Sequence, residues 1–225
     1  MTDPAARTAA ILATTHQRLA AAYGLPVRTP PADPIDDLVG AILSQNTSDI
    51  NAGRAFAALR AAYPTWQAVL DAATPELIEV IRSGGLANQK APRIQQALAA
   101  ILAARGAFDL TWLAGLPATE ARRWLTALPG IGAKSASIVL LFSLGLPVFP
   151  VDTHVRRVLT RVGAAPSVAT PDAVMAVVEA ALPADWFYPF HRNLIRHGRE
   201  VCKAQQPRCT VCPLADFCAW RRQNQ

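Results

Sequence analysis

The sequence predicts an all-α protein built as two helical domains. Three observations carry this. About half of the 225 residues are apolar (52%), Ala and Leu lead, and β-branched runs are short, which favours helix over sheet. Apolar residues recur at helical spacing in one segment after another. The 18 prolines fall mostly between those segments and act as punctuation.

The elements follow in order. Residues 5–23 read as a helix ended by Gly24 and Pro26, and "RTPPADP" is a loop. Ile35, Leu38, Val39, Ile42 and Leu43 then mark one face of a second helix, which the polar cluster "SQNTSD" (44–49) terminates. Helices follow over about 50–62, 66–72 and 75–82. "SGGLANQKAPR" reads as a glycine-bearing loop that enters a helix with a buried stripe of Ile94, Leu98, Ile101 and Leu102. A helix over 117–126 precedes "LPGIGAKSA", and a long apolar helix follows it. "FPVDTHVRRVLTRVG" starts another helix, capped by Asp152 and closed by Gly163. Helices over 171–181 and 187–200 lead to a tail that holds every cysteine. No internal repeat or low-complexity segment interrupts this plan.

Charge narrows the partner. The net charge is +6 and the pI about 9.6, a balance that suits a polyanion such as nucleic acid. Of 22 basic side chains, only Lys90, Lys134 and Lys203 are lysine. Arginine stays protonated and is no amine nucleophile, whereas lysine is able to serve as one. No secretory signal is visible. The most apolar run, "SASIVLLFSLGLPVFPV", is short for a membrane span and broken by Gly145, Pro147 and Pro150. A buried core helix in an intracellular, cytoplasmic protein with no membrane partner is the expectation.

Cys202, Cys209, Cys212 and Cys218 are spaced C-x6-C-x2-C-x5-C. Four thiolates in one short loop suit zinc or an iron–sulfur cluster, and spacing alone leaves both open. Two disulfides are the alternative, disfavoured in a reducing compartment. A tail this short would depend on the metal for its stability. Lys203 and Arg208, in the first loop between cysteines, would present positive charge to the partner.

In "LPGIGAKSA", Gly130 and Gly132 flank Ile131 and permit positive φ and close approach. Hairpin amides followed by a helix N-terminus form an anion site that grips phosphate without reading sequence. A plain helix–helix turn would use glycine for geometry alone. Lys134 falls in the first turn of the following helix, where a cation opposes the helix dipole and the free amine is favoured. A phosphate-pairing or solvated lysine is the competing reading. Asp152 comes 18 positions later, far enough for the chain to run away and return. Its carboxylate could steady charge developing on a sugar or accept a proton, or simply cap its helix.

"LPGIGAKSA", "VDTHVRRV" and the cysteine tail together resemble endonuclease III and its helix–hairpin–helix DNA glycosylase relatives. The resemblance runs from about residue 35 to residue 218 and takes in "ILSQNTSD", "GGLANQKAPRI" and "HRNLIRHGREVC". It implies a six-helix barrel over 27–146 carrying the hairpin. It also implies a cluster domain from 1–26 and 147–225 with a 4Fe–4S cluster, zinc being the lesser choice. Double-stranded DNA with a damaged base or abasic site would lie in the cleft between them, bound by a monomer in the nucleoid.

The implied activity is base excision, chiefly of oxidised pyrimidines, with AP lyase activity. The target nucleotide is flipped because its glycosidic bond is inaccessible in the stack. Lys134 would attack the anomeric carbon and displace the base, and the Schiff base would allow β-elimination. Asp152 would support charge and proton movements. The family's monofunctional adenine-mismatch members lack this lysine. Leu86 matches the apolar wedge of the family. The polar plug is usually glutamine, but alignment shifts Gln45 by one position and puts Asn46 in its place. Ala87 replaces an aromatic residue often found after the wedge. His154, His191 and His197 match family positions, and buried or hydrogen-bonded roles are expected for them. A thymine or uracil mismatch glycosylase and a non-catalytic, structure-specific DNA-binding protein are the competing functions.

Overall fold

The computed structural model describes residues 3–28 and 33–224, and among them every regular element is helical. The α-helices are α1 (Pro4–Tyr23), α2 (Pro34–Leu43), α3 (Asp49–Ala62), α4 (Trp66–Asp71), α5 (Thr74–Val80) and α6 (Ala87–Arg105). They continue with α7 (Ala118–Thr126), α8 (Ala133–Ile138), α9 (Thr153–Val162), α10 (Pro171–Ala181), α11 (Phe187–Glu200) and α12 (Ala219–Gln223). Short 3-10 turns occupy Arg82–Gly84, Thr111–Gly115, Ala184–Trp186 and Cys209–Val211. No described helix is long and apolar enough to cross a membrane.

The chain forms two compact units. One is Pro31–Leu146, and the other joins Met1–Pro30 to Pro147–Gln225. In the first unit, α2 starts where the Asp33 carboxylate accepts from the Ile35 amide at 2.9 Å, with Pro34 at the first helical position. Its predicted face, Ile35, Leu38, Val39, Ile42 and Leu43, is buried. Ile94, Leu98 and Ile101 of α6 are fully buried too, each side chain contributing about 1.5–3 kcal/mol. Leu102, expected in that stripe, is only half-buried.

Two expectations need correction here. The "SGGLANQKAPR" stretch is not loop throughout: α6 begins at Ala87 and carries Pro92 inside it. The ring removes the bond to the Asn88 carbonyl, a local cost that the helix carries one turn in from its start. The apolar helix after the hairpin is also not α throughout. Beyond Ile138 it widens to a π-turn over Val139–Ser143, with the Leu144 amide on the Val139 carbonyl at 3.3 Å. The widened turn carries the buried Ser143 hydroxyl to the Asp37 carboxylate, to which it donates.

In the second unit, Phe149 packs against Phe187 and Phe190 at 5.7 and 5.8 Å between ring centres. Helices α9 and α11 approach so closely that a Cβ on Gly198 would lie 2.8 Å from His154 Cβ. That neighbour is tied to the backbone and is unable to swing aside. Gly198→Ala gains up to about 1 kcal/mol of helix propensity but meets an overpacking penalty of about 1–3 kcal/mol. A net loss of up to about 2 kcal/mol is expected in denaturant unfolding, and a stabilised variant would contradict the close packing.

Candidate functional site

The hairpin belongs to the first unit. Gly130 holds φ at +79°, where an L side chain is strained, and a Cβ there would press on the Arg93 stem at 2.8 Å. Ile131 is buried, and its amide donates to the Leu128 carbonyl at 3.1 Å. The Ile131 side chain therefore anchors the hairpin from within, and any contact of this residue with DNA falls to its backbone. Gly132 caps α8 and offers no side-chain acceptor, so the amides of Ala133, Lys134 and Ser135 have no intrahelical partner. Lys134 stands exposed in that first turn.

Two loops belong to the same unit. Gln45 Nε2 donates to the Gly130 carbonyl at 2.9 Å, a contact across 85 positions of sequence. Asn46 is exposed and sits at φ +53°, a left-handed conformation that asparagine tolerates better than most. The neighbouring Gln45 is thus engaged by the hairpin while Asn46 projects to solvent. Leu86 is also left-handed, at φ +50° and ψ +33°, and 46% exposed. A large apolar side chain held outward on a strained backbone marks a segment shaped for contact. Ala87 behind it is buried.

Asp152 belongs to the second unit. Its Oδ1 accepts from the Val155 amide at 2.7 Å, capping α9, while among the described residues no hydrogen bond engages Oδ2. From the same helix, Arg157 donates to the carbonyls of Cys202 (2.9 Å) and Gly198 (2.8 Å). Arg161 donates to Cys202 Sγ (3.4 Å), Lys203 O (2.7 Å) and Ala204 O (2.9 Å), and its guanidinium lies 4.8 Å over the Trp220 ring. These two arginines lash the cysteine tail to α9. Sequence reading missed them: their i, i+4 spacing puts both on one face of α9, but α10 and α11 separate that helix from the cysteines in the chain. Lys203 and Arg208 are exposed on the first loop between cysteines.

Cys202, Cys209, Cys212 and Cys218 are free thiols, all half-buried, and all line one pocket with Arg161 and Trp220. Burial pushes the Cys212 thiol up to about 11, and the nearby Cys202, Cys218 and Cys209 push it the same way. Gathered sulfurs of this kind call for positive charge among them, and the donor set fits an iron–sulfur group. Among the described residues no three His, Cys, Asp or Glu side chains close on a single-ion site. His197 is buried beside the sulfurs, with Nε2 3.5 Å from Cys212 Sγ and Nδ1 2.9 Å from the Tyr23 hydroxyl. Burial lowers its pKa to about 4, opposed by Glu200, so the ring is neutral at pH 7. His191 Nδ1 lies 2.9 Å from the Pro150 carbonyl, and His154 Nδ1 lies 3.0 Å from Arg157 Nη2.

The succession of α7, a glycine hairpin and α8 defines a helix–hairpin–helix protein. A family model described as "HhH-GPD superfamily base excision DNA repair protein" matches residues 39–184, and the chain belongs to that family. A second model, the "Iron-sulfur binding domain of endonuclease III", matches residues 202–218, so the tail is an iron–sulfur binding segment. Endonuclease III of Rickettsia conorii is 37% identical over 181 residues, covering 80% of this chain and 81% of that protein. Endonuclease III of Thermotoga maritima is 32% identical over 192 residues, covering 85% of each. The solved structure "Structure of a Trapped Endonuclease III-DNA Covalent Intermediate: Estranged-Adenine Complex" superposes with a TM-score of 0.83 at 27% identity, over 96% of this chain and 98% of that one.

Arg161→Met tests the lashing of the tail. It removes three hydrogen bonds at a partly exposed site, a loss of about 1–2 kcal/mol. Apparent Tm is expected to fall by about 2–8 °C, and visible absorbance to bleach faster under an iron chelator. Bleaching at the wild-type rate would remove this role from Arg161.

Proposed function

We propose that the protein is a base-excision DNA glycosylase with AP lyase activity, acting as a monomer on double-stranded DNA that carries a damaged, chiefly oxidised, pyrimidine or an abasic site. The observation that carries this reading is the exposed amine of Lys134, in the first turn behind a glycine hairpin whose following amides have no intrahelical partner. Those amides hold a backbone phosphate, and the amine meets the adjoining sugar. The Lys134 amine attacks the anomeric carbon as the bond to the base breaks, and the base leaves with a proton. The nitrogen lone pair then opens the sugar ring: the bond from the anomeric carbon to the ring oxygen breaks, that oxygen takes a proton, and the imine that remains acidifies the neighbouring sugar carbon. Loss of a proton from that carbon breaks the 3′ carbon–oxygen bond and cuts the strand. The Asp152 carboxylate, with Oδ2 left over from capping, steadies the cationic sugar and relays protons.

Flipping the nucleotide leaves a gap in the stack. Asn46 fills it in this reading, because Gln45 is engaged by the Gly130 carbonyl, and Leu86 is the wedge. The four cysteines hold a 4Fe–4S cluster in preference to zinc, a reading supported by the match of residues 202–218 to an iron–sulfur binding domain. Lys203 and Arg208 add phosphate contacts.

Borohydride reduction traps a covalent complex between wild-type protein and DNA bearing an oxidised pyrimidine or abasic site. Lys134→Ala is expected to lose that complex altogether. Asp152→Asn keeps the cap to Val155, because Asn serves at an N-cap as well as Asp. It is expected to fold normally while turning over roughly a hundredfold more slowly. Binding without base release or trapping by the wild type would instead support a non-catalytic DNA-binding protein.

A further inference from the structure

Lys90 lies beneath the two loops and takes no part in the proposed chemistry. It is 1% exposed, unusual for a lysine. Its Nζ donates to the Leu43 carbonyl at 2.7 Å and to the Gly84 carbonyl at 2.7 Å. Each carbonyl ends a helical segment: Leu43 closes α2, and Gly84 closes the 3-10 turn Arg82–Gly84. Such carbonyls lack intrahelical donors and sit at the negative end of the helix. Among the described residues no carboxylate pairs with this amine, so the two helix ends hold it. Burial pulls its pKa below the ordinary lysine value.

Beyond each carbonyl the chain turns outward into one of the loops. Asn46 lies three residues past Leu43, and Leu86 two past Gly84. The loops also lie close together: a Cβ on Gly85 would come within 4.0 Å of Thr47 Oγ1, while one on Gly84 would press on Ala55 Cβ of α3 at 3.0 Å. One buried donor therefore ties the roots of two segments that sequence alone places far apart.

We propose that Lys90 is a positioning residue for nucleotide extrusion, holding Asn46 and Leu86 in register so that plug and wedge enter the duplex together. The proposal rests on the glycosylase reading above. Lys90 touches neither DNA nor the reacting atoms. Without its donor the two loops move independently. Extrusion from a stacked duplex then suffers, while chemistry on a nucleotide that needs no extrusion does not.

The test compares one lesion in duplex and in single-stranded oligonucleotides, by single-turnover base release and by borohydride trapping. Lys90→Met keeps the apolar stem and removes the donor. Its duplex rate is expected to fall roughly ten- to a hundredfold, with single-strand trapping close to wild type. Lys90→Gln is one bond shorter but retains two N–H donors, and is expected to recover part of the duplex rate. If Lys90→Met does not fold, the duplex-to-single-strand ratio of Lys90→Gln carries the test and is expected to lie below wild type. An equal loss on both substrates, or no loss, would reduce Lys90 to a structural role and overturn the proposal. A wild type inactive on both substrates overturns the glycosylase reading and this proposal with it.

Discussion

Two loops project from the hairpin unit, and they hang from helix ends that one buried amine holds. Lys90 joins the Leu43 and Gly84 carbonyls at 2.7 Å each. A lysine removed from water is costly unless its donors are matched, and helix C-terminal carbonyls match them without a carboxylate. Gln45 extends the same logic to the hairpin through the Gly130 carbonyl. Side chains that look like surface polar groups in sequence are the ties from which Asn46, Leu86 and Lys134 project.

The second unit solves a different problem by similar means. A tail of half-buried thiols has little apolar surface with which to fold. Arg157 and Arg161 supply donors to its backbone and to Cys202, and Trp220 lies beneath the Arg161 guanidinium. Arginine suits this task because its planar fork reaches several acceptors at once. The same helix begins at Asp152, so the residue assigned to catalysis and those that fasten the cysteine segment share one rigid element.

Much of this was legible in advance. The apolar spacing of α2, the Asp152 cap and Gly163 closure of α9, and the reach of α10 and α11 follow from local chemistry. The cysteines announced themselves by clustering. Where reading failed, the cause was not local. Two glycines and a proline made 83–93 look like loop, yet α6 begins at Ala87 because the core receives Ile94 and Leu98. The burial of Ile131 under the hairpin is likewise set by the core around it. The π-turn, the Gln45 bond and the burial of Lys90 depend on partners distant in sequence, and no local pattern encodes them.

The three lysines now stand apart by environment. Lys90 is enclosed by carbonyls, Lys203 is exposed on the cysteine loop, and Lys134 is exposed in the first turn behind the hairpin. The account assigns the covalent chemistry to the last alone. Peptide mass spectrometry of the borohydride-reduced complex with abasic DNA tests that most directly. A reduced sugar remnant on the peptide containing Lys134, with Lys90 and Lys203 unmodified, is the result predicted. A remnant on Lys203, on Lys90 or on the chain's terminal amine would contradict it.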